Sequence, residues 1–324
     1  YEALKNAGAS DRDFIVVLND NEMSIAPNVG AMHKYLTSVQ RNPIYNRLRS
    51  ALGEWADHAT GVFKDAGALV RRWEESVKAF LTPGVLFEEL GFRYIGPIDG
   101  HDIPQMIETF RAVKSFKGPR LVHVITTKGK GFPAGDHGEK WHALPPGHDP
   151  ATGKPLKSST ANPNYTTVFG KALAELMDEF PKVIAITAAM PGGTGTGTVE
   201  KRHPARFFDV GIAEAHGVTF AAGMATQGVR PVVAIYSTFL QRAFDSIIHD
   251  VAIQDLPVIF CMDRAGLVGE DGETHGGIYD IAYMLAVPNM TVAAPRDGTA
   301  LVGLLRTAMQ HDGARLARRV EGRK

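Results

Sequence analysis

A run of polar side chains directly follows the first apolar segment of the sequence. Residues 14–18, Phe-Ile-Val-Val-Leu, are apolar, and Asn19, Asp20, Asn21 and Glu22 come next. Five consecutive apolar residues predict a buried parallel strand. Asn and Asp are favoured in turns, so a simple turn explains the polar run. Their oxygens could also form a cation site, because open α/β sheets bind ligands at the carboxyl ends of strands.

Two later loops combine cationic, aromatic and glycine residues in a way that suits an anionic ligand. They are the segments IYSTFLQRAFD and DRAGLVGEDGETHGG, and each accompanies a strand-like run. Glycine lets the backbone approach a ligand closely, and Arg and His pair with phosphate or carboxylate. A flexible polar surface loop is the alternative for either segment alone. The candidate side chains are Tyr236, Phe239 and Arg242 in the first loop and Arg264, Asp271 and His275 in the second.

Alternating strand-like and helical segments must position these polar loops. Such alternation predicts an α/β fold with mainly parallel sheets flanked by helices. Residues 143–164 lack hydrophobic periodicity and are rich in Pro, Gly, Ser and Thr, which is typical of a linker. We therefore expect two α/β domains, residues 1–142 and 165–324, joined by that linker. The first domain is expected to lack its beginning and the second its end.

The spacing of apolar residues predicts several helices. Residues 31–90 are expected to be mostly helical, and residues 242–255 are expected to form one continuous helix. A further helix is predicted over residues 103–116, with Ile103, Met106, Ile107, Phe110 and Val113 on its apolar face.

Composition excludes several classes of function. The 324 residues are 44% hydrophobic and 22% charged, with a formal net charge of zero, so neither nucleic acid nor a membrane surface is an expected partner. No apolar run approaches the roughly 20 residues of a membrane-spanning helix. The single cysteine, Cys261, lies in an apolar run and fits a reducing cytoplasm. Because the chain begins at Tyr1 inside a helical pattern, we expect it to be a piece of a longer protein.

Six segments together resemble the transketolase-like family, whose enzymes depend on thiamine diphosphate. These segments are LNDNEMSI, FEELGFRYIGPIDGHD, TTKGKG, FFDVGIAEAH, VVAIYSTFLQRAFD and DRAGLVGEDGETHGG. The last two are similar to the family's synthases that condense pyruvate with D-glyceraldehyde 3-phosphate and release carbon dioxide. That reaction begins the non-mevalonate isoprenoid pathway and supplies thiamine and pyridoxal precursors. The resemblance also implies a homodimer, with the cofactor between a pyrophosphate-binding and a pyrimidine-binding domain.

The resemblance assigns roles to individual residues. From its position alone, Glu214 could simply be an acid at the start of a helix, where a negative charge interacts favourably with the helix dipole. In the family, Glu214 matches the carboxyl group that favours the imino tautomer of the cofactor's pyrimidine. Phe239 matches the ring that stacks on that pyrimidine, and His142 and His275 match catalytic positions. The remaining cofactor contacts implied are Asn21, Ile25, Lys128, Phe132 and Ile212. The substrate contacts implied are Tyr236, Arg242, Arg264, Asp271 and His275.

A magnesium ion that bridges the cofactor's diphosphate is also implied. Asn21 matches its side-chain ligand, and Met23 matches the position whose backbone carbonyl binds. Hard cations prefer such oxygen ligands. The family's remaining ligand is an aspartate in a Gly-Asp-Gly motif about 30 residues upstream. Only 20 residues precede Asn21, so we expect the magnesium site of this chain to be incomplete.

Two departures from the family pattern bear on these roles. Phe132 stands where relatives often have tyrosine, and Glu321 stands where an arginine helps to hold the substrate phosphate. The alternatives to the synthase are another thiamine-diphosphate transketolase and a catalytically inactive α/β fragment.

Overall fold

Helices and strands alternate along the chain and fall into two units. The computed structural model describes residues 2–10, 12–31, 34, 84–132, 142, 149, 152, 163–269, 271–310 and 315–320. The first unit comprises Tyr1–Met23 and Gly30–Gly135, and the second comprises Ser24–Val29 and Asp136–Lys324. Most of the predicted linker and most of the helical region predicted over 31–90 lie outside the described residues. The predicted domain limits stay a prediction.

The first unit contains a three-stranded parallel sheet with the strand order β1-β3-β2. Phe87, Phe92 and Leu121 form its buried apolar centre. The elements described are α1 (Glu2–Gly8), β1 (Phe14–Asp20), α2 (Val85–Glu89), β2 (Arg93–Asp99), α3 (Ile103–Val113) and β3 (Pro119–Ile125).

Strand β1 is parallel, as predicted, but the prediction that it is buried is wrong. It is an edge strand of the described sheet, and Ile15 and Val17 on one of its faces are exposed. Phe14, Val16 and Leu18 on the other face pack against the apolar centre. The reason is the two-residue side-chain period of a strand, which sends alternate residues of an unbroken apolar run to opposite faces.

Helix α3 forms where the spacing predicts it, but its apolar face is narrower than expected. Asp102 Oδ1 accepts the N–H of Gln105 at 3.0 Å and caps the helix. Met106, Phe110 and Val113 pack against the sheet, whereas Ile103 and Ile107 are exposed.

The second unit is built on a six-stranded parallel sheet with the order β5-β4-β6-β7-β9-β8. Buried apolar clusters cover both of its faces. The mainly parallel α/β fold predicted from the sequence is therefore confirmed. The elements described are α4 (Tyr165–Glu179), β4 (Val183–Thr187), α5 (Pro191–Thr194), α6 (Gly197–Arg202), β5 (Phe207–Asp209), α7 (Glu214–Ala225), β6 (Arg230–Tyr236), α8 (Ser237–Leu240), α9 (Phe244–Ser246), β7 (Ile259–Ala265), α10 (Asp280–Leu285), β8 (Thr291–Ala293), α11 (Gly298–Gln310) and β9 (Arg315–Val320).

Two parts of the second unit differ from the sequence prediction. The helix expected over 242–255 is divided into a 3₁₀ turn at Gln241–Ala243, helix α9 and a π-helical segment at Ile247–Ala252. Strand β9 was not predicted, although it lies between β7 and β8. Its sequence, RLARRV, contains three arginines and so lacks the apolar signal of an inner strand.

Among the helices described for this chain, none has both the length and the apolar character needed to cross a bilayer.

Candidate active site

The carboxyl ends of the strands in the second unit bring most of the predicted site residues to one edge of the sheet. Asp209 at the end of β5 pairs with Thr187 at the end of β4, and Tyr236 at the end of β6 pairs with Asp263 in β7. Glu214 begins α7 just beyond β5, and Arg264 follows Asp263 directly. Parallel α/β sheets bind ligands at this edge.

Glu214 and Arg242 form an ion pair at this edge. Arg242 Nη1 lies 3.3 Å from Glu214 Oε1 and 3.4 Å from Oε2. The Glu214 side chain is only 6% exposed, whereas that of Arg242 is 63% exposed. A buried carboxylate needs a compensating charge or hydrogen bonds, and Arg242 and the amino end of α7 supply both. The structure thus joins a predicted catalytic residue to a predicted substrate-binding residue.

Three predicted side chains form an aromatic cluster at the same edge of the sheet. The rings of Tyr236 and Phe239 are stacked, with centroids 5.6 Å apart and planes 2° apart. His275 meets Phe239 edge-on at 5.2 Å. A Cβ on Gly193 would lie 2.5 Å from the Tyr236 hydroxyl oxygen, so only glycine permits the close approach there. Tyr236 itself is buried, so Phe239 and His275 are the members of the cluster that could meet a planar ligand.

Arg264 is held in an unusual backbone conformation by several partners. Its φ is 51°, in the left-handed region that non-glycine residues seldom adopt. The pairing of β7 with β9 also shifts register between Met262 and Ala265. Asp263 Oδ1 accepts the backbone N–H of Arg264 at 2.8 Å. Such strain is concentrated at functional sites.

The guanidinium of Arg264 is satisfied from several directions. Nη1 donates to Thr166 Oγ1, to the Gly193 carbonyl and to Asp263 Oδ1 at 3.0–3.3 Å. Nε lies 3.4 Å from Asp271 Oδ2, and the guanidinium carbon lies 4.6 Å from the centre of the Tyr236 ring. The structure therefore brings the predicted residues Arg264, Asp271 and Tyr236 together.

The chain segment that carries Asp271 and His275 is closed at its base. The backbones of Gly266 and Gly277 exchange two hydrogen bonds of 2.9 and 2.8 Å. A Cβ on Gly277 would lie 2.4 Å from Ser237 Oγ, so the base of the segment packs tightly against the start of α8. Thr238 Oγ1 also donates to the Thr274 carbonyl at 3.2 Å.

Sequence reasoning missed four residues that support the site. Thr166 Oγ1 donates a hydrogen bond to Asp263 Oδ2 at 3.0 Å, and both residues contact Arg264. Ser237 donates to the buried carboxylate of Asp280 at 3.0 Å. Nothing in the sequence around these four residues distinguishes them from other residues of the same type. Only the fold brings together partners as far apart in sequence as Thr166 and Asp263. The direct strand-end position of Asp263 was the one available signal.

Asp209 organises the turn that leads to Glu214. Its Oδ1 accepts the N–H groups of Ala189 and Gly211 at 2.8 and 2.9 Å, which ties β5 to the end of β4. Ile212, a predicted cofactor contact in the same turn, is exposed.

The predicted metal ligands lie in the first unit, directly after β1. Asn21 Oδ1 accepts the N–H of Met23 at 3.0 Å, and Asp20 Oδ1 accepts that of Glu22 at 3.1 Å. Behind this turn, Asp20 Oδ2 lies 3.1 Å from Nε2 of the buried His123. The polar run forms a turn, which was the first interpretation of its sequence. Its amide and carbonyl oxygens are also the kind that Mg²⁺ prefers, so the second interpretation, a cation site, stays a prediction.

The other predicted cofactor contacts are distributed between the two units. Lys128 and Phe132 follow β3 in the first unit and are partly buried. Ile25 and the exposed His142 belong to the second unit. Within the described ranges, no group of three or more His, Cys, Asp or Glu residues could hold a metal ion. The roles given to these residues stay predictions.

Comparisons with known proteins agree with the segments quoted above. Residues 1–126 match the family model "1-deoxy-D-xylulose-5-phosphate synthase", and residues 161–318 match "Transketolase, pyrimidine binding domain". The 1-deoxy-D-xylulose-5-phosphate synthase 2 of Geobacter sulfurreducens is 50% identical over 99% of this chain and 51% of its own length. The synthase of Anaeromyxobacter sp. is 52% identical over 97% of this chain and 49% of its own length. The chain thus spans about half the length of the curated relatives it matches.

Similarity to a solved structure covers half of the chain. The structure described as "Split gene transketolase, inactive beta4 tetramer" shares 32% identity over 50% of this chain and 53% of that chain, with a TM-score of 0.45.

Proposed function

Because this chain belongs to the 1-deoxy-D-xylulose-5-phosphate synthase family, we propose that the whole protein condenses pyruvate with D-glyceraldehyde 3-phosphate and releases carbon dioxide. The observation that carries the proposal is the buried carboxyl of Glu214, which is paired with Arg242 at the same edge of the sheet as the stacked rings of Tyr236 and Phe239. The relatives are thiamine-diphosphate-dependent transferases. The reaction is the first step of the non-mevalonate isoprenoid pathway.

The residues present fit the pyrimidine half of thiamine diphosphate. Bound cofactor supplies a nucleophilic carbon for attack on the keto group of pyruvate. Glu214 would share a proton with the far ring nitrogen of the aminopyrimidine, and its burial would strengthen that hydrogen bond. Phe239 would provide the aromatic surface on which the pyrimidine ring stacks. Ile212 and Ile25 add apolar contacts.

The cationic side chains fit the anionic substrates. Arg242 and Arg264 bind the phosphate of the aldehyde, because charge-assisted hydrogen bonds from arginine suit phosphate oxygens. Tyr236 and Asp271 hold the substrate hydroxyl and carbonyl groups, and His275 moves a proton at the reacting carbonyl. His142 assists in the same role, and Lys128 and Phe132 contact the cofactor.

A magnesium ion on the cofactor's diphosphate completes the proposal. Asn21 Oδ1 and the Met23 carbonyl are oxygen donors of the type that Mg²⁺ takes. We further propose that the protein is a homodimer and that it works in the cytoplasm of a bacterium, as the family resemblance implies.

Activity assays on the full-length protein that contains this chain test the proposal. We expect carbon dioxide release from pyruvate that requires thiamine diphosphate, Mg²⁺ and glyceraldehyde 3-phosphate. Glu214→Gln should reduce this turnover at least 100-fold, because the amide keeps the shape of the side chain but cannot share a proton as the carboxyl does, and such proton sharing contributes about 10²–10⁴-fold. Glu200→Gln, on an exposed face of α6, is the matched control and should keep full activity.

Two outcomes would contradict the proposal. Transfer from a ketose donor without carbon dioxide release would indicate another thiamine-diphosphate transketolase. Near-normal turnover in the Glu214→Gln enzyme would remove the role given to Glu214.

A further inference from the structure

The two arginines at the candidate site are held very differently. Arg264 is 19% exposed and has hydrogen-bond partners on Thr166, Gly193, Asp263 and Asp271. Among the described residues, the polar partner recorded for Arg242 is Glu214 alone, and 63% of the Arg242 side chain is exposed. Arg264 is therefore fixed, whereas Arg242 is the arginine that can move.

The geometry of the Glu214–Arg242 pair is that of a weak contact. One nitrogen, Nη1, spans both carboxylate oxygens at 3.3 and 3.4 Å. Strong charge-assisted bonds of this type are about 2.7–2.9 Å long, and bidentate pairs use two nitrogens. Glu214 is fixed at the start of α7, so an exchange of partners would move Arg242 and leave Glu214 in place.

We propose that Arg242 is shared between Glu214 and an anion at the substrate site, so that occupation of Glu214 by another partner releases Arg242 for the anion. The inference rests on the proposed function and deepens it. When the cofactor's ring nitrogen takes the Glu214 carboxyl, Arg242 becomes available to the phosphate of the second substrate. By thermodynamic reciprocity, an anion that holds Arg242 also favours binding of the ring at Glu214.

Isothermal titration calorimetry of the chain with inorganic phosphate directly tests whether Arg242 is shared between Glu214 and an anion. Glu214→Gln removes the competing charge and should tighten phosphate binding about fivefold or more. Arg242→Ala should weaken this binding to what Arg264 gives alone, and the double variant should behave like Arg242→Ala. Glu200→Gln removes an acid of equal charge elsewhere in the same unit and should leave the phosphate affinity unchanged.

A second variant guards against misfolding of Glu214→Gln. Glu214→Asp keeps the charge but withdraws the carboxylate by one methylene, and it should give a smaller gain in phosphate affinity that also requires Arg242. Circular dichroism confirms that each variant is folded.

Three results would overturn the sharing. The first is that neither Glu214 variant binds phosphate more tightly than wild type. The second is that the increase in phosphate affinity persists when Arg242 is absent. The third is that phosphate binding is undetectable in both wild type and Glu214→Gln. Synthase activity with any of these results would reject the sharing alone. A gain that depends on Arg242, in a protein whose full-length form does not use pyruvate, would reject the proposed function alone.

Discussion

Asp263 is the residue on which the conformation of Arg264 depends most. A left-handed non-glycine residue costs on the order of 1–3 kcal/mol, and it persists only when neighbouring groups hold it. Asp263 does so by accepting both the backbone N–H and Nη1 of Arg264, while its other oxygen accepts the hydroxyl of Thr166. Asp263 is itself buried. A positioning carboxylate therefore stands behind the predicted substrate arginine.

Replacing Asp263 should destabilise the chain. Asp263→Ala removes the acceptor of the Arg264 backbone N–H and of the Thr166 hydroxyl, and one of the acceptors of the Arg264 guanidinium. We expect the free energy of unfolding to fall by about 1–3 kcal/mol. Urea denaturation followed by circular dichroism measures this change. Asp245→Ala, at an exposed position in α9, is the control and should stay within about 0.5 kcal/mol of wild type. Equal stability of the two variants would show that Asp263 does not hold Arg264.

The sequence predicted individual site residues better than it predicted which residues contact each other. Arg242 was identified by its type in a loop that also carries Tyr236 and Phe239, and the role of Glu214 came from the family resemblance. Their contact could not be predicted, because they are 28 positions apart and meet only when α7 packs against the 3₁₀ turn at Gln241–Ala243. Thr166 carried no signal at all, since a threonine in the first turn of a helix is common.

At the scale of elements, the start of α8 is tied to α10. Ser237 donates to Asp280 Oδ2, and Tyr283 donates to the Ser237 carbonyl at 3.5 Å. Burial raises the pKa of Tyr283 above its ordinary value, and the nearby negative charge of Asp280 raises it further. The phenol therefore stays protonated in the folded protein at pH values where an unfolded tyrosine ionises.

This raised pKa predicts a loss of stability in alkaline solution. The unfolded chain loses the Tyr283 proton as pH rises through about 10, while the folded chain keeps it, so the free energy of unfolding falls above that pH. Tyr283→Phe removes this contribution and should flatten the fall between about pH 9 and pH 11. At pH 7 the change should be below about 1 kcal/mol, because the hydroxyl contacts are long.

Thermal or urea unfolding across this pH range checks the prediction. Tyr279→Phe, which removes a hydroxyl from an exposed ring nearby, is the matched control. If the free energy of unfolding falls as steeply with alkaline pH in Tyr283→Phe as in Tyr279→Phe, Tyr283 is not the source of the pH dependence.

The elements that the sequence predicted are those with a strong apolar period. Runs such as VIAITAAM and PVIFCMDR became inner strands because both of their faces are covered. Prediction failed where tertiary contacts outweigh local pattern. Strand β9 is arginine-rich, and the π-helical turn at Ile247–Ala252 interrupts a spacing that suits an ordinary α-helix. The exposed side of β1 could not be predicted, because an apolar run does not reveal whether a strand lies at an edge.

At the scale of the whole molecule, the predicted cofactor contacts are divided between two units. Asn21, Met23, Lys128 and Phe132 lie in the first unit, and Glu214 and Phe239 lie in the second. The chain spans about half the length of its curated relatives. Its activity as an isolated chain is therefore a separate question from that of the full-length protein.

We predict that the isolated chain binds thiamine diphosphate poorly. Asn21 and the Met23 carbonyl are neutral donors, and the described residues hold no cluster of three or more metal-ligating side chains. Mg²⁺ gives up its water reluctantly and is usually held by one or two carboxylates together with phosphate oxygens. With these neutral donors alone, the diphosphate gains little from the metal. Calorimetric titration with thiamine diphosphate, with and without Mg²⁺, measures the effect, and the full-length protein is the control. A dissociation constant of about 1 µM that depends on Mg²⁺ would contradict the prediction, because it would mean that two neutral oxygens suffice to hold the ion.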